Sequence, residues 1–255
     1  MLPSASVKSI LLLAAVLAAG CSAPRAVEII AHRGASEDAP ENSLAAFRLG
    51  WEQQADANEL DIHLTRDGRL AVIHDASTKR TAAVDKPVAQ QTMEGLRALG
   101  VPALEEVVAL IPDGRRLFIE IKCGPEALPE LQRVVDASGK PRSAFVIIGF
   151  GYDTMVKAKK AMPDLPVCWL ASSKDAPALE VLIAKAREGG LDGLDLHHGF
   201  PIDAAFVERV RAAGLKLYTW TVDDAETARR EAAAGVDGIT TNRPARLRRD
   251  LSSGR

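Results

Sequence analysis

The 255-residue chain lacks a dominant charge: 32 Lys and Arg stand against 34 Asp and Glu, for a formal net charge of -2. Gripping a phosphate backbone calls for a basic excess or a basic stripe, so nucleic acid is set aside as a partner. Cysteine is scarce, and its three residues cannot build a disulfide framework. Beyond the N-terminal stretch only Cys123 and Cys168 remain; nothing in their spacing demands a bridge, and small thiols are common in buried apolar strands. Residues 10–19 form an uninterrupted apolar run, which is too short to cross a bilayer. What is present is 47% hydrophobic residues with both signs of charge spread along the chain, the composition of a globular protein rather than a disordered or collagen-like one.

The N-terminus follows a different pattern from the rest. Lys8, the apolar run, then Gly20 and Cys21 read as a charged segment, a short hydrophobic segment and a cleavage point. The stretch resembles a bacterial lipoprotein signal, in which Cys21 becomes the lipidated first residue, with Ala18 at a position where that pattern usually has Leu. The competing reading is an ordinary secretory peptide cut near Ala23. Under the first, residues 1–20 are the signal, 21–26 a linker and 27–255 the domain. Both readings predict an exported protein; the first makes it a membrane-anchored lipoprotein facing the periplasm or cell exterior of a bacterium. No protein partner is implied.

From Val27 onward, short apolar runs alternate with amphipathic stretches. Strands are predicted at 27–31, 59–64, 70–73, 117–121, 144–148, 167–170, 193–196, 215–220 and 238–240. Helices are predicted at 43–54 behind Asn42, and at 104–110, 126–137, 153–161, 176–188, 203–213, 223–234 and 244–251. Strand-then-helix order implies parallel pairing with the helices outside. Asp67-Gly68 is a tight-turn signal that makes 70–73 the return arm of a hairpin, leaving eight strands for a barrel. The expectation is an α/β protein, a single (β/α)8 TIM barrel with a β-hairpin and a short insertion after strand 2; an open doubly wound sheet is the alternative. Residues 75–101 make the longest connection and are expected to carry that insertion and to form one wall of a site.

In a parallel barrel the active site gathers at the C-terminal ends of the strands. The first run ends in His32-Arg33-Gly34. In the second, Leu60, Ile62 and Leu64 share one face while Glu59, Asp61 and His63 share the other. The apolar set packs on helices, so the acids point into the barrel, where something cationic must meet them. Ile119-Glu120-Ile121-Lys122 repeats the pattern, and Glu59, Asp61 and Glu120 converge at one rim. All-oxygen ligation suits one divalent cation, Ca²⁺ or Mg²⁺; the alternative is a metal-free salt-bridge network with Arg33 and Lys122. His32 and His74 beside that cluster provide a base and an acid for phosphodiester cleavage.

These residues fall into an order that resembles the glycerophosphodiester phosphodiesterases: His32-Arg33, then Pro40-Glu41-Asn42, Glu59-Leu60-Asp61 and His74-Asp75. The similarity continues through residues 80–81, 101–106, 120–122, 218–222 and 235–240. It implies a TIM barrel that uses a divalent cation to hydrolyse glycerophosphodiesters to an alcohol and glycerol 3-phosphate. By resemblance His32 and His74 are the acid/base pair, Glu59, Asp61 and Glu120 the metal ligands, and Arg33 and Lys122 phosphate contacts. Glu41 is expected in the substrate site, by orienting His32 or Arg33, and Trp220 against the glycerol carbons. Asn242 stands where many members have Asp. Related toxin phospholipases share the two-His plan and keep a lysophospholipid open as substrate. A phosphate-ester-binding lipoprotein without turnover is the non-enzymatic alternative.

Overall fold

The computed structural model describes residues 26–82, 84–174 and 177–253; the expected signal, the lipidation site at Cys21 and most of the linker lie outside them. Among the described residues nine strands form one sheet: β1 (Glu28–His32), β2 (Ala57–Leu64), β3 (Leu70–Val72), β4 (Arg116–Ile121), β5 (Phe145–Gly149), β6 (Val167–Ala171), β7 (Gly193–His197), β8 (Lys216–Trp220) and β9 (Gly238–Thr241). The sheet order β1-β9-β8-β7-β6-β5-β4-β2-β3, with β1 also paired to β2, closes eight parallel strands into a barrel. β3 is the exception. It runs antiparallel to β2, with Ile62 opposite Val72 and Leu64 opposite Leu70, and Gly68 at φ 73 turns the hairpin, a backbone that glycine adopts freely.

Strand parity sorts the side chains into two layers. Ile29, Leu60, Ile62, Leu117, Ile119, Leu194, Leu196, Leu217 and Ile239 pack outward against the helices. Ile30, Ala57, Phe118, Val146, Ile148, Cys168, Leu170 and Tyr218 fill the interior. Phe118 is fully buried and meets the Tyr218 ring edge-on at 5.1 Å; burying such a side chain contributes on the order of 2 kcal/mol. The middle of the barrel is therefore a largely apolar layer, with the acidic cluster above it at the mouth and the Arg116–Glu28 pair, 2.7 Å apart, below it.

The connection after the hairpin is more ordered than its polar sequence suggests. It holds short helices at Lys79–Ala82 and Met93–Ala98 and a 3-10 turn at Val88–Gln90. Val88, Met93, Leu96 and Val101 pack with Ala71, Ile73 and Ala103 in a small core of their own. The Met93 N–H also donates to Asp67 Oδ1 at 3.0 Å, tying the insertion back to the hairpin turn. The first helix, Leu44–Glu52, is capped by Ser43, whose Oγ accepts from the Ala46 N–H at 3.1 Å. Asn42, with φ 55, is thereby released from capping and turns its side chain into the barrel mouth.

Candidate active site

Register builds the acidic cluster. β1 and β2 pair His32 with Glu59, and β2 and β4 pair Asp61 with Glu120, so four inward-facing groups become neighbours. Glu59, Asp61 and Glu120, all buried, each offer one carboxylate oxygen within 4.8 Å of the others, a group that could hold a metal ion. Cations flank it on both sides. Arg33 Nε lies 3.2 Å from Asp61 Oδ2, and the Arg33 N–H donates to Glu59 Oε2 at 3.0 Å. Lys122 Nζ lies 2.9 Å from Glu120 Oε1 and 3.7 Å from Asp61 Oδ1. Asn42 Nδ2 donates to Asp61 Oδ2 at 2.8 Å.

Two cations do not neutralise three buried acids. Burial, reinforced by Asp61 and Glu120, pushes the Glu59 carboxyl well above the usual range against the pull of Arg33. Burial and then Asp61 push Glu120 up to about 7, with Lys122 opposing. A bare salt-bridge network would leave that repulsion standing, whereas a divalent cation removes it.

The histidines sit on either side of the cluster with unlike partners. His32 Nδ1 is 2.7 Å from Asn242 Oδ1. Asn242 presents both its Nδ2 and its backbone N–H to the Asp223 carboxylate, at 2.6 and 2.8 Å, and a carboxylate only accepts. The amide oxygen must therefore face the ring, which puts the proton on His32 Nδ1 and leaves Nε2 with its lone pair. Burial first, and Arg33 second, hold the His32 pKa below its ordinary value. His74 Nδ1 lies instead 2.6 Å from Asp75 Oδ1. Asp75 is clamped by Arg80, whose side chain holds the carboxyl far below its usual range. Arg80 also grips both oxygens of Glu41 at 2.8 Å, and Glu41 Oε1 accepts from Arg33 Nη1 at 3.1 Å, so His74 and Arg33 are braced by one continuous chain of charges. His63, which shares the inward face of Glu59 and Asp61, lies 3.0 Å by its Nε2 from the His74 carbonyl oxygen and supports that residue from behind.

These groups open into one cavity of about 200 Å³ lined by His32, Arg33, Glu59, His74, Glu120 and Lys122 on one side and by Ile148, Phe150, Leu170, Asp195, Trp220, Thr221 and Thr240 on the other. Trp220 meets the Phe150 ring at 5.5 Å and donates from Nε1 to the Asp195 carbonyl oxygen at 3.1 Å. Glu41 stands outside this lining and touches the site through Arg33. Among the described residues of 75–101 none lines the cavity, a correction to the expectation that they wall it: the insertion is spent on its own core and on the Arg80 clamp.

The model of the glycerophosphoryl diester phosphodiesterase family matches residues 32–246. The chain belongs to this family. It is 33% identical over 237 residues, 86% of this chain and 95% of the relative, to a glycerophosphodiester phosphodiesterase of Caldanaerobacter subterraneus subsp. tengcongensis. It is 29% identical over 258 residues, 87% of this chain and 85% of the relative, to a glycerophosphodiester phosphodiesterase of Bacillus subtilis. Among solved structures, an Oleispira antarctica phosphodiesterase in complex with the product sn-glycerol-3-phosphate shares the fold at a TM-score of 0.79, covering 89% of this chain and 97% of that one at 24% identity.

Within this phosphodiesterase family barrel, sequence reasoning missed three contributors. Asp223 was hidden because its contact with Asn242 joins the loops after two different strands. Phe150 lies just past β5 and shows itself only where the cavity opens. Asp195 was legible in principle: it is the acid at an inward position between Leu194 and Leu196, the same parity signal that exposed Glu59 and Asp61. Burial and then Glu120 push its carboxyl up to about 8. His197 and His198, with ring centroids 4.4 Å apart and tilted by 31°, stand outside the cavity lining.

Proposed function

We propose that this protein hydrolyses glycerophosphodiesters to an alcohol and glycerol 3-phosphate. The observation that carries the reading is the shared cavity in which His32 and His74 flank three buried carboxylates, with Arg33 and Lys122 beside them. Fully ionised, three carboxylates against two cations leave an excess negative charge that would repel a phosphodiester. Asp61 Oδ1, buried without a hydrogen-bond partner, and the repulsion within the triad fit a hard divalent ion, Ca²⁺ or Mg²⁺, held by Glu59, Asp61 and Glu120. Such an ion, when bound, supplies Lewis-acid stabilisation of charge on the phosphoryl oxygens.

The chain's own groups account for the proton transfers. His32 Nε2, unprotonated, accepts the proton of the attacking hydroxyl, either a glycerol hydroxyl or water. His74, beside the Asp75 anion, gives a proton to the departing alcohol oxygen. Where the glycerol hydroxyl attacks, the cyclic phosphate is opened by water with the roles reversed, and one water is consumed overall. Arg33 and Lys122 hold the remaining phosphate charge. A lysophospholipid is the second reading, favoured by Phe150, which is 45% exposed at the mouth where an acyl chain would lie.

The test is release of glycerol 3-phosphate from glycerophosphocholine by chelator-treated protein as Ca²⁺ or Mg²⁺ is restored. Release is expected only with cation, and His32→Ala and His74→Ala should each lower turnover by about 100-fold or more. Cation-independent release, or turnover within tenfold of the parent in both variants, would overturn the assignment. Export and lipid anchoring at Cys21 belong to the same reading. Labelled fatty acid should enter the parent and not Cys21→Ser; equal labelling of both would refute it.

A further inference from the structure

Asp195 is 1% exposed, on β7, with a side chain that lines the cavity. Its carboxyl makes no hydrogen bond or ion pair among the described residues, and Oδ1 is buried without a partner. The other two acids of the lining are both matched, Glu59 by the Arg33 N–H and Glu120 by Lys122. Buried polar groups are as a rule hydrogen-bonded, so a cavity-facing carboxyl without a partner points to one that arrives with the ligand.

Position says which part of the ligand. Counting round the closed barrel, β7 lies three strands from β4 and three from β1, across from the cations that take phosphate. The organic part of a phosphate ester held there extends over Leu170, Ile148 and Trp220 towards Asp195. Apolar walls around a single carboxyl suit a polyol, with its C–H faces on the walls and a hydroxyl on the acid. A hydroxyl both donates and accepts, so it pairs with Asp195 in either protonation form.

We propose that Asp195 determines specificity on the glycerol side, its carboxyl hydrogen-bonding a free hydroxyl of the glycerol phosphate unit. This rests on the reading of the cavity as a glycerophosphodiester site. The esterified alcohol then projects past Phe150 to solvent, where its identity matters less.

The experiment is calorimetric titration of the full chain in Mg²⁺ with glycerol 3-phosphate and with propyl phosphate, which has the same carbon count and no hydroxyl. The parent is expected to prefer glycerol 3-phosphate at least about tenfold, because a site built to bond a hydroxyl rejects the analogue lacking it. Asp195→Ala and Asp195→Leu should bring the two affinities to within about threefold with propyl phosphate binding unchanged, and Asp195→Asn should restore most of the preference. Equal affinity of the parent for both esters, or an undiminished preference in Asp195→Ala, overturns the inference and leaves the catalytic reading standing. No binding of either ester by the parent removes the catalytic reading itself, and the inference with it.

Discussion

His32 presents Nδ1 to a neutral amide, whereas His74 lies 2.6 Å from a carboxylate that Arg80 keeps ionised. The first arrangement gives a ring with Nε2 free and no anion on Nδ1; in the second, Lys122 Nζ donates to Nε2 at 3.2 Å, and the Asp75 anion on Nδ1 is what can support a positive ring once Nε2 takes up a proton. The assignment of His32 as base and His74 as acid rests on this contrast. It predicts that Asp75→Asn lowers kcat on glycerophosphocholine about 100-fold with little change in KM, since the anion supporting the imidazolium is lost while the ring keeps its hydrogen-bond partner. A glycerophosphodiester with a p-nitrophenyl leaving group should lose no more than about tenfold in the same variant, because that oxygen departs without a proton. Steady-state rates on the two substrates check this, and equal losses on both would remove Asp75 from support of the acid.

Strand parity explains why so much of this molecule is readable from its letters. One rule, that β2 and β4 each turn alternate residues inward, places Glu59, Asp61, Glu120 and Lys122 together, and the turn at Asp67-Gly68 takes β3 out of the barrel. The rule applied to β7 would have found Asp195 as well. What the letters do not carry are contacts between loops. Asp223 meets Asn242 across the loops after β8 and β9, and Arg80 reaches back to Glu41 from 39 residues away. Neither pairing has a local period to betray it. Asn42 shows the limit from another side: a side chain suited to capping a helix is given instead to Asp61, because Ser43 caps and the left-handed backbone at Asn42 aims it inward. Gly34 is the corresponding backbone constraint. At φ 81, a Cβ there would lie 2.5 Å from the Ala46 carbonyl carbon, so only glycine lets the first helix close on the turn that carries His32 and Arg33.

At the scale of the whole molecule, the barrel stores acidic repulsion that a cation relieves, and stability should report it. Glu120 is pushed up to about 7 and Asp195 up to about 8, and Glu59 and the buried Glu231 are pushed upward by burial as well. A carboxyl with a raised folded-state pKa binds its proton more tightly in the fold than in the unfolded chain. The stability it contributes is complete below its unfolded value and is lost as pH rises through the folded one. His32, with its lowered pKa, acts in the opposite sense, adding stability above its unfolded value that is lost as pH falls through the folded one, and Asp75 and Glu41 do likewise further into acid. Metal-free protein should therefore become less stable between about pH 6 and about pH 8, by a drop in Tm on the order of 5 °C. A divalent cation competes with protons for the triad and binds only the fold, so it should raise Tm more at the higher pH and flatten the profile. Glu120→Gln removes one ligand and one source of repulsion together; its metal-free Tm should fall less with pH, and added cation should shift it little. Thermal scans of chelated and cation-loaded protein at the two pH values decide the matter: a metal-free Tm that rises with pH, or a cation shift equal at both, would mean that the three carboxylates are neither strained nor ligating.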